Sequence, residues 1–389
     1  MSDDFDLAVV GGGIHGCGVA QAGVAAGYRV LLLEQEELAF GTSRRSSKLI
    51  HGGLRYLESA QIALVRESLR ERELLLKLAP ELVQRRDFYL PVYRATSRRP
   101  WKIWLGLAAY SALAGFRAHT GFKRLPSRAW RNLDGLRTDG LQQLFCYSDA
   151  QTDDAALTRA VMTSARELGA ELQCPAEFIG AERSDQGCAV QFRDKRGMQR
   201  IQCKVLINAA GPWVNKVLSR VNPAPSRLAM DLVQGTHIVL PGEIARGIYY
   251  VEAPADRRAV FVMPWQGKTL VGTTESFYTG DPAQVHPLPK EIDYLRETFR
   301  HYFPDRDDTV VDSFAGLRVL PAGDGIAFGR DRETRLHADV ASRPRVLTIY
   351  GGKLTGYRAT AEKVMEAVRP GLGKASPVAS TAALPLHPA

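Results

Sequence analysis

The sequence predicts an α/β (α+β) fold in which a discontinuous, Rossmann-like nucleotide-binding domain carries an inserted, largely antiparallel substrate domain. Three observations predict it. A glycine turn stands between a short apolar run and an alanine-rich stretch within residues 5–27, the pattern of strand, turn and helix. Three further apolar runs are continuous and rich in β-branched or leucine side chains, as strands of a parallel sheet buried on both faces are. In two places these runs are more than a hundred residues apart, so the intervening chain must build a second body.

Taken in order, Phe5 to Val10 is the first strand, the turn Gly11-Gly12-Gly13-Ile14-His15-Gly16 opens a helix through Gly27, and Arg29 to Leu33 is the second strand. Lys204 to Asn208, ending in Ala209-Ala210-Gly211-Pro212, and Arg345 to Tyr350, ending in Gly351-Gly352 before a helical pattern from about Leu354 to Val368, supply two more. In the insertions, Ala189 to Phe192, His237 to Leu240, Ala259 to Met263, Thr269 to Gly272 and Thr309 to Asp312 read as strands. The segmentation that follows gives the nucleotide-binding domain residues 1–85, 149–215 and 326–374, and the substrate domain 86–148 and 216–325. A Pro- and Ala-rich stretch at 375–389 reads as a loose tail.

With 389 residues the chain can bury two cores, and its 45% hydrophobic and 24% charged composition excludes a disordered or fibrous protein. The net charge of +9 favours acidic partners: a phosphorylated small molecule, an anionic membrane surface or nucleic acid. The last is set aside, because no helix-turn-helix, zinc-finger or RNP-type pattern is present. Cys17, Cys146, Cys174, Cys188 and Cys203 are scattered without CxxC spacing, which argues against a disulfide framework or zinc site and for a reducing, cytoplasm-facing location. The acidic start leads straight into a strand, so no signal peptide is expected, and no metal-ligand spacing is found.

Residues 98–124 hold an apolar run, Trp101 to Phe116, flanked by Arg98, Arg99, Lys123 and Arg124. It is short for a bilayer span. Tryptophans bordered by cations suit a helix lying on a membrane surface, and a buried core helix is the competing reading.

The GxGxxG of Gly11, Gly13 and Gly16 provides a tight turn, close backbone approach to a pyrophosphate and tight helix packing. Glu34 ends the next strand about 20 residues on, where a carboxylate holds ribose hydroxyls and repels a 2′-phosphate. NAD and FAD share the adenosine diphosphate half that this unit binds, so the unit alone does not choose between them.

Further segments do. Residues 41–58, GTSRRSSKLIHGGLRYLE, together with Asn208-Ala209-Ala210-Gly211-Pro212-Trp213, Pro264-Trp265, Gly272-Thr273-Thr274, Ala315 to Leu320, Gly329-Arg330-Asp331 and Gly351 to Arg358, resemble the FAD-linked glycerol-3-phosphate dehydrogenases over essentially residues 5–370. The resemblance implies a D-amino-acid-oxidase type of fold, with FAD as cofactor and an antiparallel sheet roofing the isoalloxazine ring. It implies oxidation of sn-glycerol 3-phosphate to dihydroxyacetone phosphate by hydride transfer to flavin N5, with electrons passed to a quinone. Its location would be cytoplasmic, peripheral on the inner face of the cytoplasmic membrane if the apolar segment touches lipid. Departures are Glu275 where Thr-Thr-Asp is usual, the Arg44-Arg45 pair in place of small residues, and an expected absence of the further C-terminal helical domain of the larger members. These keep two alternatives open: an amino-acid or 2-hydroxy-acid oxidase or dehydrogenase, and a non-catalytic flavoprotein subunit.

Oxidation of a secondary alcohol needs a base for the hydroxyl proton, and His51 on the flavin segment is the leading candidate, with His237 second. Each has a plain alternative, a turn hydrogen bond for His51 and packing for His237. Forked guanidinium donors suit a phosphate dianion, and Arg55, Arg318 and Arg330 fall in the matched motifs. Arg318 has the alternative role of polarising the developing carbonyl oxygen. Tyr56, Thr274 and Lys353 are candidates for orienting substrate. By the same carry-over Thr42, Ser43, Ser47, Lys48, Gly52 and Gly211 would contact FAD, and the amides of Gly352, Lys353, Leu354 and Thr355 at a helix start would meet the flavin's pyrimidine end.

Overall fold

The computed structural model describes residues 4–115, 121–323 and 333–388. Phe5–Val10 lies at the middle of one sheet, paired in parallel with Val30–Leu33 on one side and with the end of Gly197–Asn208 on the other. Beyond these, Glu171–Gln173 and Val346–Tyr350 continue the parallel order. The four strands expected from their apolar runs are therefore neighbours, and both faces of each are buried. The first half of Gly197–Asn208 turns away from this core and forms an antiparallel meander with Cys188–Asp194 and Glu177–Arg183.

The helix Ile14–Ala25 is apolar on every side because it is surrounded, packing on the sheet and against helices Asp154–Glu167 and Tyr357–Leu372. Gly16 makes its start possible, since a Cβ there would lie 1.8 Å from the Gly11 carbonyl oxygen. The other face of the sheet is covered by the meander, through Phe178, Val190 and Phe192.

A second, ten-stranded sheet stands over the first. Its order is Asp312–Pro321, Met230–Leu240, Lys268–Gly272 with Ser276–Tyr278 on the same edge, Ala259–Trp265, Ile248–Glu252, Val83–Tyr93 and Leu141–Thr152. Leu49–Ile50 and Phe122–Leu125 share the last edge. Among the described residues only Ile248–Glu252 and Val83–Tyr93 of this sheet pair in parallel, so it is largely antiparallel as expected. Helix Pro289–Tyr302 covers one face through Leu295, Phe299 and Tyr302. Helices Ile62–Leu78 and Pro100–Leu113 contribute to a separate core through Val65, Leu69, Ile103 and Leu107.

Several expectations are corrected. Ala189 to Phe192, read among the inserted strands although it falls in the 149–215 segment, is a strand of the first sheet, because the tight turn after Asp194 returns the chain beside Gly197–Asn208. The last long strand begins at Asp312; Thr309 is held in a turn, its amide donating to the Asp307 carboxylate at 2.9 Å. The terminal helix starts at Tyr357, after a glycine-rich turn. In the 98–124 segment the described residues form a helix over Pro100–Leu113 and a strand over Phe122–Leu125, and residues 116–120 lie outside the described residues. Residues 375–388 are pinned at several points, although most of them are exposed: the amides of Val378 and Ala379 donate to the Ala25 carbonyl, that of Leu386 to the Leu78 carbonyl, and Leu386 is 2% exposed.

Candidate active site

The parallel strands end where the glycine turns begin, and the second sheet faces those ends. Between them lies a cleft of about 550 Å³. At one end Gly12 donates its amide to Glu34 Oε2 at 2.6 Å, and the Glu36 amide reaches Oε1 at 2.9 Å. Burial pushes the Glu34 carboxyl up from its ordinary value, and the Glu36 and Gly12 amides offset part of that. Gly11 adopts φ +109, and a Cβ there would lie 2.7 Å from the Ala209 carbonyl oxygen. Backbone alone therefore lines this part of the cleft, as a pyrophosphate requires.

The segment 41–55 crosses the middle. Ser43 Oγ accepts the Ile14 amide at 2.9 Å, and Thr42 Oγ1 donates to the Leu317 carbonyl at 2.7 Å, which fastens the segment to both sheets. Ser47 Oγ and His237 Nε2 are 3.0 Å apart. His237 is fully buried, stacks on Phe314 at 4.9 Å, and is held well below its ordinary pKa by burial and then by Arg318 and Lys48. It has room because its strand neighbour is Gly272, where a Cβ would strike the imidazole at 2.0 Å. His51 also lines the cleft, half-buried, edge-on to Phe261 at 6.2 Å, with its amide donating to Thr355 Oγ1 at 3.1 Å.

The far wall is cationic. Arg318 NH2 donates to Thr273 Oγ1 at 3.1 Å and NH1 to the Thr274 carbonyl at 3.4 Å, lying across Gly235, where a Cβ would leave it no room. Glu275 joins it at 3.5 Å and joins Arg258 at 2.9 Å. Arg55 and Lys353 lie on the ring of Tyr56, at 5.3 and 3.8 Å from its centroid.

Of the expected residues, Gly11, Gly13, Ile14, Glu34, Thr42, Ser43, Ser47, His51, Arg55 and Tyr56 line this cleft. So do Gly211, His237, Arg318, Gly352, Lys353, Leu354 and Thr355. Four expectations need correcting as to contact. Lys48 is turned away, its ammonium donating to Asp154 Oδ1 and the Arg44 carbonyl at 2.6 Å each, so it pegs the segment down from behind. Thr274 is buried with its hydroxyl on Glu291 Oε1, 3.0 Å away. Gly52 is buried with its amide on the Tyr110 hydroxyl, and Gly16 serves helix packing. Arg330 lies outside the described residues.

Arg258 and His15 are among the cleft residues that the sequence reading did not name. Arg258 was legible in principle: the hairpin that pairs Trp265 with Lys268 and Phe261 with Gly272, continued, brings residue 258 opposite Glu275. His15, half-buried, with its Nδ1 buried and without a hydrogen-bond partner among the described residues, carried no such signal. No group of His, Cys, Asp and Glu suited to a metal ion occurs among the described residues.

Comparison with known proteins agrees with this geometry. A family model described as FAD dependent oxidoreductase matches residues 6–358. The chain is 36% identical to D-erythritol 1-phosphate dehydrogenase of Brucella abortus, over 94% of this chain and 73% of that protein. It is 38% identical to glycerol-3-phosphate dehydrogenase of Pseudomonas aeruginosa, over 99% of this chain and 75% of that one. Among solved structures, glycerol-3-phosphate dehydrogenase from Bacillus halodurans complexed with FAD superposes with a TM-score of 0.77 at 28% identity, covering 98% of this chain and 67% of that one.

Proposed function

This chain belongs to the FAD dependent oxidoreductase family, and on that premise we propose that it oxidises sn-glycerol 3-phosphate to dihydroxyacetone phosphate. The cleft suits FAD on its own terms: a bare glycine backbone at Gly11 to Gly13, a carboxylate for ribose hydroxyls at Glu34, and a positive-φ glycine pair at Gly351-Gly352. The observation that carries the substrate reading is the wall of Arg55, Arg258, Arg318 and Lys353 in the same cleft. It favours a phosphate dianion over a neutral substrate.

Bound FAD supplies the acceptor for the hydride that leaves the carbinol carbon. His51 takes the hydroxyl proton on an imidazole nitrogen as that hydride departs, which leaves a ketone. Arg55 and Lys353 hold the phosphate, and the Tyr56 ring between them keeps both cations in place. Arg318, fixed by Thr273, Thr274 and Glu275, donates to the oxygen as it gains negative character. His237 is held neutral, and its Ser47 contact makes it the supporting imidazole in this reading.

The acceptor of the electrons is proposed to be a membrane quinone, reached from the face of helix Pro100–Leu113. No helix of the described residues is long and apolar enough to cross a membrane. Ile103, Leu107 and Tyr110 are buried on one side of that helix, while Trp101, Trp104 and Leu105 on the other are 60%, 50% and 52% exposed. Such a face, flanked by Arg99 and Lys102, suits an anionic lipid surface.

The similarity to a D-erythritol 1-phosphate dehydrogenase supports a second reading, a longer phosphorylated polyol. Anaerobic reduction of the bound flavin tests both. Bleaching by glycerol 3-phosphate is expected, with erythritol 1-phosphate, lactate and amino acids as comparators. Bleaching by lactate or an amino acid alone sinks the phosphopolyol reading, and bleaching by none favours a non-catalytic subunit.

A further inference from the structure

Two successive amides of the flavin segment are each held by a hydroxyl from a distant part of the chain. The His51 amide donates to Thr355 Oγ1, and the Gly52 amide donates to the Tyr110 hydroxyl at 2.8 Å. Tyr110 belongs to helix Pro100–Leu113 and donates in turn to Asp149 Oδ2 at 2.7 Å. Asp149 pairs through its other oxygen with Arg72 of helix Ile62–Leu78. Arg72 and Asp149 are wholly buried and Tyr110 is 2% exposed.

A buried ion pair is seldom the most stable filling for such a site, because desolvation offsets the attraction. Its worth here is directional. The carboxylate accepts the hydrogen bond donated by the phenolic O–H, so the lone pairs of the Tyr110 oxygen are left to receive the Gly52 amide. Gly52 admits no side chain, since a Cβ would lie 2.5 Å from that oxygen and 2.7 Å from Leu69. Glycine would leave this turn loose, and Gly53 beside it adopts φ +76. The hydroxyl is what fixes it.

We infer that Tyr110 is a positioning residue for the reaction: through the Gly52 amide it sets where the His51 imidazole stands in the cleft, with Asp149 and Arg72 aiming the hydroxyl. The inference rests on the proposed role of His51 as base. It assigns the apolar helix a purpose inside the protein as well as on its outer face.

Tyr110→Phe in the FAD-loaded full chain tests it, because the ring and its packing remain. The expected result is a fall of about 10-fold or more in kcat for glycerol 3-phosphate with KM changed less than about 2-fold, since a misplaced base impairs the transition state and not binding. Leu107→Ala, on the same buried face, is the control: it lowers Tm and leaves kcat at 25 °C within about 2-fold. Equal losses of kcat in the two variants, or none in Tyr110→Phe, overturn the inference. Should the wild type fail to oxidise any phosphopolyol, the functional reading fails separately. The inference is then decided by the His51 imidazole resonances and the visible circular dichroism of bound FAD. Both are expected to differ between wild type and Tyr110→Phe, and identity of both overturns it.

Discussion

The Lys353 ammonium lies 3.8 Å from the centroid of the Tyr56 ring, and the Arg55 guanidinium lies 5.3 Å from the same ring. One aromatic side chain thus supports two cations at the cleft wall, where a desolvated cation on a ring face is worth roughly 1–2 kcal/mol. Tyr56→Phe, which keeps the ring and removes the hydroxyl that hydrogen-bonds Arg55, should raise KM for glycerol 3-phosphate less than removal of the ring does. Tyr56→Ala should raise it about 10-fold or more. Steady-state kinetics of the two variants decide the matter, and equal KM values would remove the ring from the account.

Arg318 is braced by three neighbouring groups of one loop and meets the cleft from the second sheet. Arg318→Ala should preserve the flavin absorbance of the purified protein and lower kcat/KM by about 100-fold or more. Loss of flavin together with activity would reassign the residue to holding the fold.

Two imidazoles of the cleft, half-buried His15 and buried His237, are held neutral. Burial lowers His15 to about 4 and holds His237 well below its ordinary value. In the unfolded chain both titrate near the usual histidine value, so the unfolded state binds more protons between that value and the folded ones. Stability is therefore fully present above about pH 6.5 and is lost as pH falls towards 4, with His15 alone costing on the order of 2 kcal/mol at pH 5. Urea denaturation of the flavin-loaded protein at pH 7 and pH 5 measures this. In His15→Asn the drop should shrink by about that amount, and an unchanged drop would contradict the neutral assignment.

Trp101 and Trp104 point away from the core on the helix whose inner face carries Tyr110. Co-sedimentation with vesicles containing phosphatidylglycerol should be strong for the wild type and at least about 10-fold weaker for the Trp101→Glu, Trp104→Glu variant, with flavin content unchanged. A wild type that stays in the supernatant removes the membrane proposal.

Much of the fold was legible because its central parallel strands carry uninterrupted apolar runs, and two of them end directly in a glycine turn, at Val10-Gly11 and Tyr350-Gly351. Boundaries were less so: the terminal helix waits until Tyr357 because the turn before it has Gly351 and Gly352 at positive φ. The tail misread as loose has polar and small residues, and its order comes from bonds such as Thr381 to Arg358, 2.9 Å, that no local pattern announces. Within the site, residue type suggested His51 and Arg318. Lys48 shows the limit: a cation in a matched motif, yet its ammonium is spent on Asp154, more than a hundred residues away.

The strands that grip the cofactor are contributed by the beginning, the middle and the end of the chain, and Gly11 and Gly351 are brought together from more than three hundred residues apart. During synthesis the first glycine turn leaves the ribosome long before Val346–Tyr350 exists to complete the sheet beneath it. Until then the nascent chain exposes apolar strand edges that Val346–Tyr350 later covers. Capture of the dinucleotide is consequently among the last events of assembly, and for most of its birth this protein depends on whatever shields those edges.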